Sequence, residues 1–219
     1  MVKNLIFDFD GVLVDSEMLV AKSFSRYLKN LGKEFSEKDF AQYAGKKTIQ
    51  IVEILSQKFF IKDSNKFFND IMNIGLDIYR NELTAVTGAY EYVTNSKYNL
   101  FIGSNNQKKR IIDGLKKVKL DEYFKTEVIY SFDLVNKPKP HPDIYLKAIE
   151  DNNLNKKETI IIEDSVVGVM AGVSAGVNVI GLTAGGHWYE TRDEKELFDA
   201  GAFAVTNDYK KITEIIERN

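Results

Sequence analysis

Leu5-Ile6-Phe7-Asp8-Phe9-Asp10-Gly11-Val12-Leu13-Val14-Asp15-Ser16 sets an unbroken apolar run against two aspartates and a glycine. A short run of this kind is expected of a strand covered on both faces. Side chains alternate along a strand, so Asp8 and Asp10 project to one side and the phenylalanines to the other. Gly11 permits the sharp turn that follows. Two carboxylates this close at the end of a buried strand repel each other and need a cation, and hard oxygen ligands suit Mg²⁺. The competing reading is that they cap the next helix or stand solvated in a loop. For Asp15, directly ahead of a helical pattern, capping is the preferred reading.

Working outward, similar runs recur at Leu100-Phe101-Ile102, Val128-Ile129-Tyr130, Ile160-Ile161-Ile162 and Val177-Asn178-Val179-Ile180. Helical patterns lie between the later ones, over 108–118, 143–151 and 165–175. Strand alternating with helix implies a parallel sheet with right-handed crossovers, a doubly wound α/β core. Residues 16 to 84 read differently and contain no strand pattern. Glu17 to Leu31 is an amphipathic helix, with Val20, Phe24, Leu28 and Leu31 on one face and Gly32 as its stop. Ser36 and Asp39 form a capping box, and 48–60 and 64–83 are helical. The expected organisation is therefore a core of 1–15 and 85–219 with an all-helical insert over 16–84. An insert after the first strand is expected above the carboxyl ends of the strands, where open α/β sheets bind ligands, so it reads as a cap.

Composition narrows the function. The chain has 219 residues, 44% of them hydrophobic and 28% charged, which supplies an ordinary core. A net charge of −2 gives no reason to expect nucleic acid or an anionic membrane as partner. There is no cysteine, which removes disulfides, thiolate catalysis and thiolate-bound zinc and fits a reducing, cytoplasmic setting. The first residues carry no signal-peptide pattern. Val166 to Ala184 is uncharged, but its glycines and the change of pattern at Gly176 indicate a helix followed by a buried strand, not a membrane span.

Three further stretches carry chemistry. After a buried run, Glu163-Asp164-Ser165 places acids at the same end of the sheet as Asp8. Asp164 can complete a metal site, and Glu163 can ligate directly or through a neighbour. The alternative is helix capping by Asp164 or Ser165. Gly103-Ser104-Asn105-Asn106 offers a hydroxyl and backbone amides at a strand-to-helix turn, suited to a phosphate oxygen or equally to a plain turn. All three prolines, 138, 140 and 142, fall in Lys137-Pro138-Lys139-Pro140-His141-Pro142-Asp143. They stiffen that loop and would hold Lys139 as a fixed point charge, while Lys137 reads as a surface residue.

These four stretches, in this order, resemble the four motifs of the haloacid dehalogenase superfamily, and 16–84 is similar to its helical cap of the first type. The resemblance covers essentially the whole chain and implies a Rossmann-like core. It implies Asp8 as the nucleophile that takes a phosphoryl group, Asp10 as acid and base, and Ser104 and Lys139 as groups that bind and neutralise it. It implies Mg²⁺ held by Asp8, the Asp10 carbonyl and Asp164, with Glu163 nearby. Asp10 separates the chain from the dehalogenases that attack carbon, which lack an aspartate there. A phosphonate-cleaving role for Lys46 or Lys47 is the weaker reading. A β-phosphoglucomutase is the nearest alternative, but the two positions expected to grip a second phosphate read Thr48 and Gln107, which carry no charge. A binding module without turnover is a further alternative, against which the retained aspartates argue. The expected activity is hydrolysis of small phosphomonoesters, above all sugar phosphates, by a monomer. Substrate contacts are expected from Gly45, Lys46, Lys47 and Thr48, with Glu17 a lesser candidate, from Asn105, and from His187 in Gly185-Gly186-His187-Trp188-Tyr189. Trp188 either touches the leaving group or pins that loop.

Overall fold

A computed structural model describes residues 1–43, 46–188 and 192–218. Its sheet consists of β1 (Asn4–Phe7), β2 (Asn99–Ser104), β3 (Ile129–Ser131), β4 (Thr159–Glu163), β5 (Asn178–Leu182) and β6 (Ala204–Thr206). The order across the sheet is β3-β2-β1-β4-β5-β6, and all neighbours are parallel. Chain order reverses between β1 and β4, where Phe7 pairs with Ile162. That gap, at the carboxyl ends of the two strands, is where sheets of this kind bind ligands. The β6 strand has no counterpart among the apolar runs because it is only three residues at the sheet edge, two of them half-buried and the third a threonine. Val128 lies in a short 3-10 turn ahead of β3, and Val177 just ahead of β5.

The chain divides into two compact units, Met1–Asp15 with Thr84–Asn219, and Ser16–Leu83. The second contains α1 (Glu17–Asn30), α2 (Glu37–Phe40), α3 (Thr48–Phe59) and α4 (Ser64–Glu82). Its core joins Phe24, Leu28, Ile51, Leu55, Phe67 and Ile71, all buried. The α1 helix presents Phe24 and Leu28 one turn apart to α4, as helical spacing dictates. Leu31 differs from its expected place on that face. It follows the last helical residue and is 47% exposed. The Ser36 box is formed: Ser36 N donates to Asp39 Oδ2 at 2.7 Å, and Asp39 N to Ser36 Oγ at 3.3 Å.

The sheet unit carries α5 (Ala89–Thr94), α6 (Lys108–Lys117), α7 (Asp143–Asp151), α8 (Val166–Ser174), α9 (Lys195–Asp199) and α10 (Tyr209–Arg218). Its core packs Ile6, Phe101, Ile161 and Val179 from the strands against Ile144, Ala148, Val169 and Ala171 from α7 and α8. Each such aliphatic side chain contributes about 1.5–3 kcal/mol when fully buried. The uncharged stretch 166–184 divides into α8 and β5, and no helix among the described residues is long and apolar enough to cross a membrane. Tyr209, at the start of α10, donates its hydroxyl to the Val12 carbonyl at 2.6 Å and so braces the turn after β1.

Candidate active site

Asp8 is the first residue beyond β1, and its amide donates to the Ile162 carbonyl of β4 at 2.9 Å. Parallel pairing thus brings Asp8 beside Glu163 and Asp164. The turn behind it depends on Gly11, whose φ of +73° disfavours any side chain and whose Cβ position lies 1.9 Å from Asp164 Oδ2. Asp8, Glu163 and Asp164 are all buried, and one carboxylate oxygen from each lies within 4.8 Å of the others.

Lys139 enters this cluster from the proline-framed loop. It is buried, whereas Lys137 two residues earlier is exposed. Its Nζ donates to Asp8 Oδ1 and to Glu163 Oε1, each at 2.6 Å. Asn105, exposed as a residue, clamps the loop from the other side: Lys139 N donates to Asn105 Oδ1 at 2.9 Å, and Asn105 Nδ2 to the Lys139 carbonyl at 3.2 Å. The amide expected to face substrate is therefore engaged with Lys139's backbone, because the loop brings an N–H and a C=O within reach of one side chain.

Both oxygens of Glu163 are engaged. Oε1 accepts from Lys139 Nζ and from the Tyr145 hydroxyl at 3.0 Å; Oε2 accepts from Asp164 N, Ser165 N and Ser165 Oγ. Gly168 makes room for it, since a Cβ there would fall 1.6 Å from Oε1. Ser165 also caps α8 through Gly168 N, so one of the two capping readings holds alongside the acidic cluster. Tyr145 lies across Gly103 of β2 and reaches Glu163 from α7.

Electrostatically the site is short of positive charge. Burial pushes the Asp8 carboxyl well above the ordinary carboxylate range; Lys139 opposes this, while Glu163, Asp164 and Asp10 add to it. Burial alone would lower Lys139, yet Asp8 and Glu163 hold its ammonium well above the usual lysine value. Burial, and after it Glu163, raises Tyr145 well above the ordinary phenol value, so it remains a neutral donor. Three buried carboxylates beside a single lysine form a donor set that suits a hard divalent cation.

The remaining expected residues divide. Ser104, buried at the end of β2, accepts from Asn106 N at 3.1 Å. The Asp10 side chain turns to Asn106, whose Nδ2 donates to its Oδ2 at 2.5 Å. His187 reaches the cluster, with Nε2 3.0 Å from Asp164 Oδ2. Trp188 packs on the sheet core with the Arg192 guanidinium 3.8 Å from its ring centroid, the geometry of a loop pin. Asp15 does not cap α1. Ser16 holds the cap position, and Asp15 Oδ1 instead accepts from Gly186 N at 3.1 Å. Lys46 and Lys47 are exposed and Thr48 half-buried, all at the start of α3 in the other unit, as Glu17 starts α1. Gly45 and Tyr189 lie outside the described residues. Sequence reading passed over Asn106 as an individual residue and over Tyr145. Asn106 carried a weak signal, sitting in the turn after β2; Tyr145, on a buried helical face, carried none.

The family model described as haloacid dehalogenase-like hydrolase matches residues 5–182, and the chain belongs to that family. It is 30% identical over 206 residues to the phosphorylated carbohydrates phosphatase of Thermotoga maritima, covering 92% of each chain. Among solved structures it is similar to a HAD family hydrolase from Deinococcus radiodurans with bound phosphate and sodium. That similarity has a TM-score of 0.86 and 26% identity, with 99% of this chain and 96% of that one covered. A putative β-phosphoglucomutase from Thermotoga maritima gives a TM-score of 0.81 and 27% identity over 99% of both chains.

Proposed function

We propose that this protein is a Mg²⁺-dependent phosphatase of small phosphomonoesters, sugar phosphates foremost, acting through an aspartyl-phosphate on Asp8. The observation that carries the reading is a buried carboxylate at the sheet's switch point, with one oxygen held by Lys139 at 2.6 Å and a second aspartate two residues on. The similarity to a phosphatase of phosphorylated carbohydrates supports the substrate class.

In this reading an Asp8 oxygen attacks phosphorus. The bond from phosphorus to the ester oxygen breaks, its electron pair stays on that oxygen, and the Asp10 carboxyl supplies the proton. A water oxygen then attacks the aspartyl-phosphate while the Asp10 carboxylate takes its proton. The acyl phosphate P–O bond breaks and returns Asp8 as a carboxylate with inorganic phosphate. Lys139 offsets the charge on Asp8 and the transferring group, and Ser104 with its neighbouring amides binds the phosphoryl oxygens. Glu163 holds Lys139 in place. Asp8 and Asp164, with the Asp10 main-chain carbonyl, would hold Mg²⁺, which when bound offsets the repulsion between carboxylate and substrate dianion. Glu163, with both oxygens engaged, would bear on the ion through its neighbours. Lys46, Lys47 and Thr48 of the helical unit would select the substrate.

The similarity to a putative β-phosphoglucomutase keeps a second reading in the test. The uncharged Thr48 and Gln107 argue against it. The deciding experiment measures phosphate release from hexose and pentose phosphates and from β-glucose 1-phosphate, with Mg²⁺, with EDTA, and with Asp8→Asn. Free phosphate that disappears in EDTA and in the variant is the expected outcome. Conversion of β-glucose 1-phosphate to glucose 6-phosphate without phosphate release would establish the mutase. No turnover despite Mg²⁺ binding would leave a binding module.

A further inference from the structure

Asn106 is fixed at three points. Its backbone N–H donates to Ser104 Oγ at 3.1 Å, and its carbonyl accepts from Phe132 N at 3.4 Å. Its side-chain Nδ2 then donates to Asp10 Oδ2 at 2.5 Å. The two backbone anchors come from Ser104 at the end of β2 and from Phe132, the first residue of the 3-10 turn that follows β3. The amide therefore presents one donor in a set place, and the half-buried Asp10 carboxyl rests against it. A carboxylate on a turn has two side-chain torsions free. A fixed amide donor removes that freedom and sets the direction in which the carboxyl faces.

We propose that Asn106 is a positioning residue for Asp10, setting the oxygen that gives the proton to the leaving group. This rests on the phosphatase reading above and goes beyond it in one respect. The dependence of rate on the leaving group is assigned to a side chain outside the nucleophile, the acid and the acidic cluster. The chemistry of the first step makes the role separable. An alkoxide leaving from a sugar phosphate needs a proton as the P–O bond breaks. A p-nitrophenolate is stable without one. Misplacing Asp10 should slow the first far more than the second, whereas a general loosening of the site should slow both alike.

The test compares single-turnover rates of wild type, Asn106→Ala and Asn106→Asp on a hexose 6-phosphate and on p-nitrophenyl phosphate, with Mg²⁺ present. Asn106→Ala is expected to lose about 100-fold on the hexose phosphate, the scale of a small misplacement of a catalytic group, with KM little changed. The loss of p-nitrophenol release is expected to be at most about a tenth of that, followed by slow steady-state turnover because Asp10 must still activate water. Asn106→Asp keeps the volume and both backbone hydrogen bonds but replaces the donor with an acceptor. It should be at least as slow as the alanine variant on the hexose phosphate. Equal losses on the two substrates, or wild-type rates in either variant, would overturn the role of Asn106. Wild type inactive on both substrates would instead count against the phosphatase reading itself.

Discussion

In the helical unit Tyr27 stacks on Phe67 with ring centroids 4.4 Å apart, and Phe24 meets the same ring edge-on at 5.8 Å. At the carboxyl end of the sheet, a volume just as well buried holds Lys139, Asp8, Glu163 and Asp164. The first cluster coheres through apolar area, which is non-directional and tolerates a change of shape if volume is kept. The second coheres only while each charge keeps its partners, because an unpaired buried charge costs more than a pair returns. One region is thus held by apolar packing, and the other by a balance of buried charges that a change at any one member disturbs.

The largest expected effect separates activity from stability. Asp8→Asn should reduce phosphate release to background without lowering Tm in metal-free buffer, because it removes one of several crowded carboxylates and leaves Lys139 paired with Glu163. A Tm drop of several degrees would show that Asp8 is structurally required. Next come truncations in the two clusters. Phe67→Ala should destabilise by about 3–5 kcal/mol, and Phe67→Leu by much less, in urea unfolding followed by circular dichroism. Glu163→Ala should cost about 3–5 kcal/mol as well, since it takes away one of the two carboxylates that hold Lys139 and also leaves the buried Tyr145 hydroxyl and the Ser165 and Asp164 donors without their acceptor. The comparison breaks if a same-sized apolar replacement at Phe67 is as harmful as the truncation.

Gly168→Ala is a finer probe. Its new methyl group must displace the Glu163 carboxylate, at about 1–3 kcal/mol, and activity should fall with it because Lys139 loses its seat. Unchanged activity with reduced stability would detach Glu163 from function. The smallest effect is at the surface of the helical unit, where Ser36→Ala should cost about 1 kcal/mol. The Ser36 hydroxyl and amide hold the Asp39 carboxyl below its usual range. A lowered folded value means that this contribution is complete above the unfolded-state pKa and is lost as pH falls through the folded one. Acid titration of Tm should show the gap between wild type and Ser36→Ala narrowing at low pH, with the part due to the Asp39 N to Ser36 Oγ cap remaining.

Much of this was legible in one dimension. The Leu5-Ile6-Phe7 and Ile160-Ile161-Ile162 runs, each ending in acids, define buried parallel strands with charge at one end, because burial on both faces demands unbroken apolar sequence and the following turn can be polar. The helical patterns over 108–118 and 143–151 follow from their spacing, and that over 165–175 from an uncharged run of small residues stopped at Gly176; together with the order of the motifs they point to the family. Other features have no local signature. Asp15 reads as a helix cap because capping is the commonest use of an aspartate there, yet the loop at Gly186, 171 residues later in the chain, takes its oxygen. Asn105 and Asn106 are adjacent and chemically identical, and only their backbone geometry sends one to the Lys139 loop and the other to Asp10. Tyr145 looks like any core aromatic until Gly103 and Glu163 are brought beside it.

By itself, then, the sequence determined the doubly wound sheet, the helical character of 16–84, the family and the residues able to carry charge at the strand ends, since periodicity and residue chemistry are local. Only the tertiary structure decided which carboxylate Lys139 shares, which asparagine serves which partner, and that Glu163 rests on a glycine. Those are pairings between residues far apart in the chain, set by parallel strand register and loop closure, and no stretch of sequence encodes them alone.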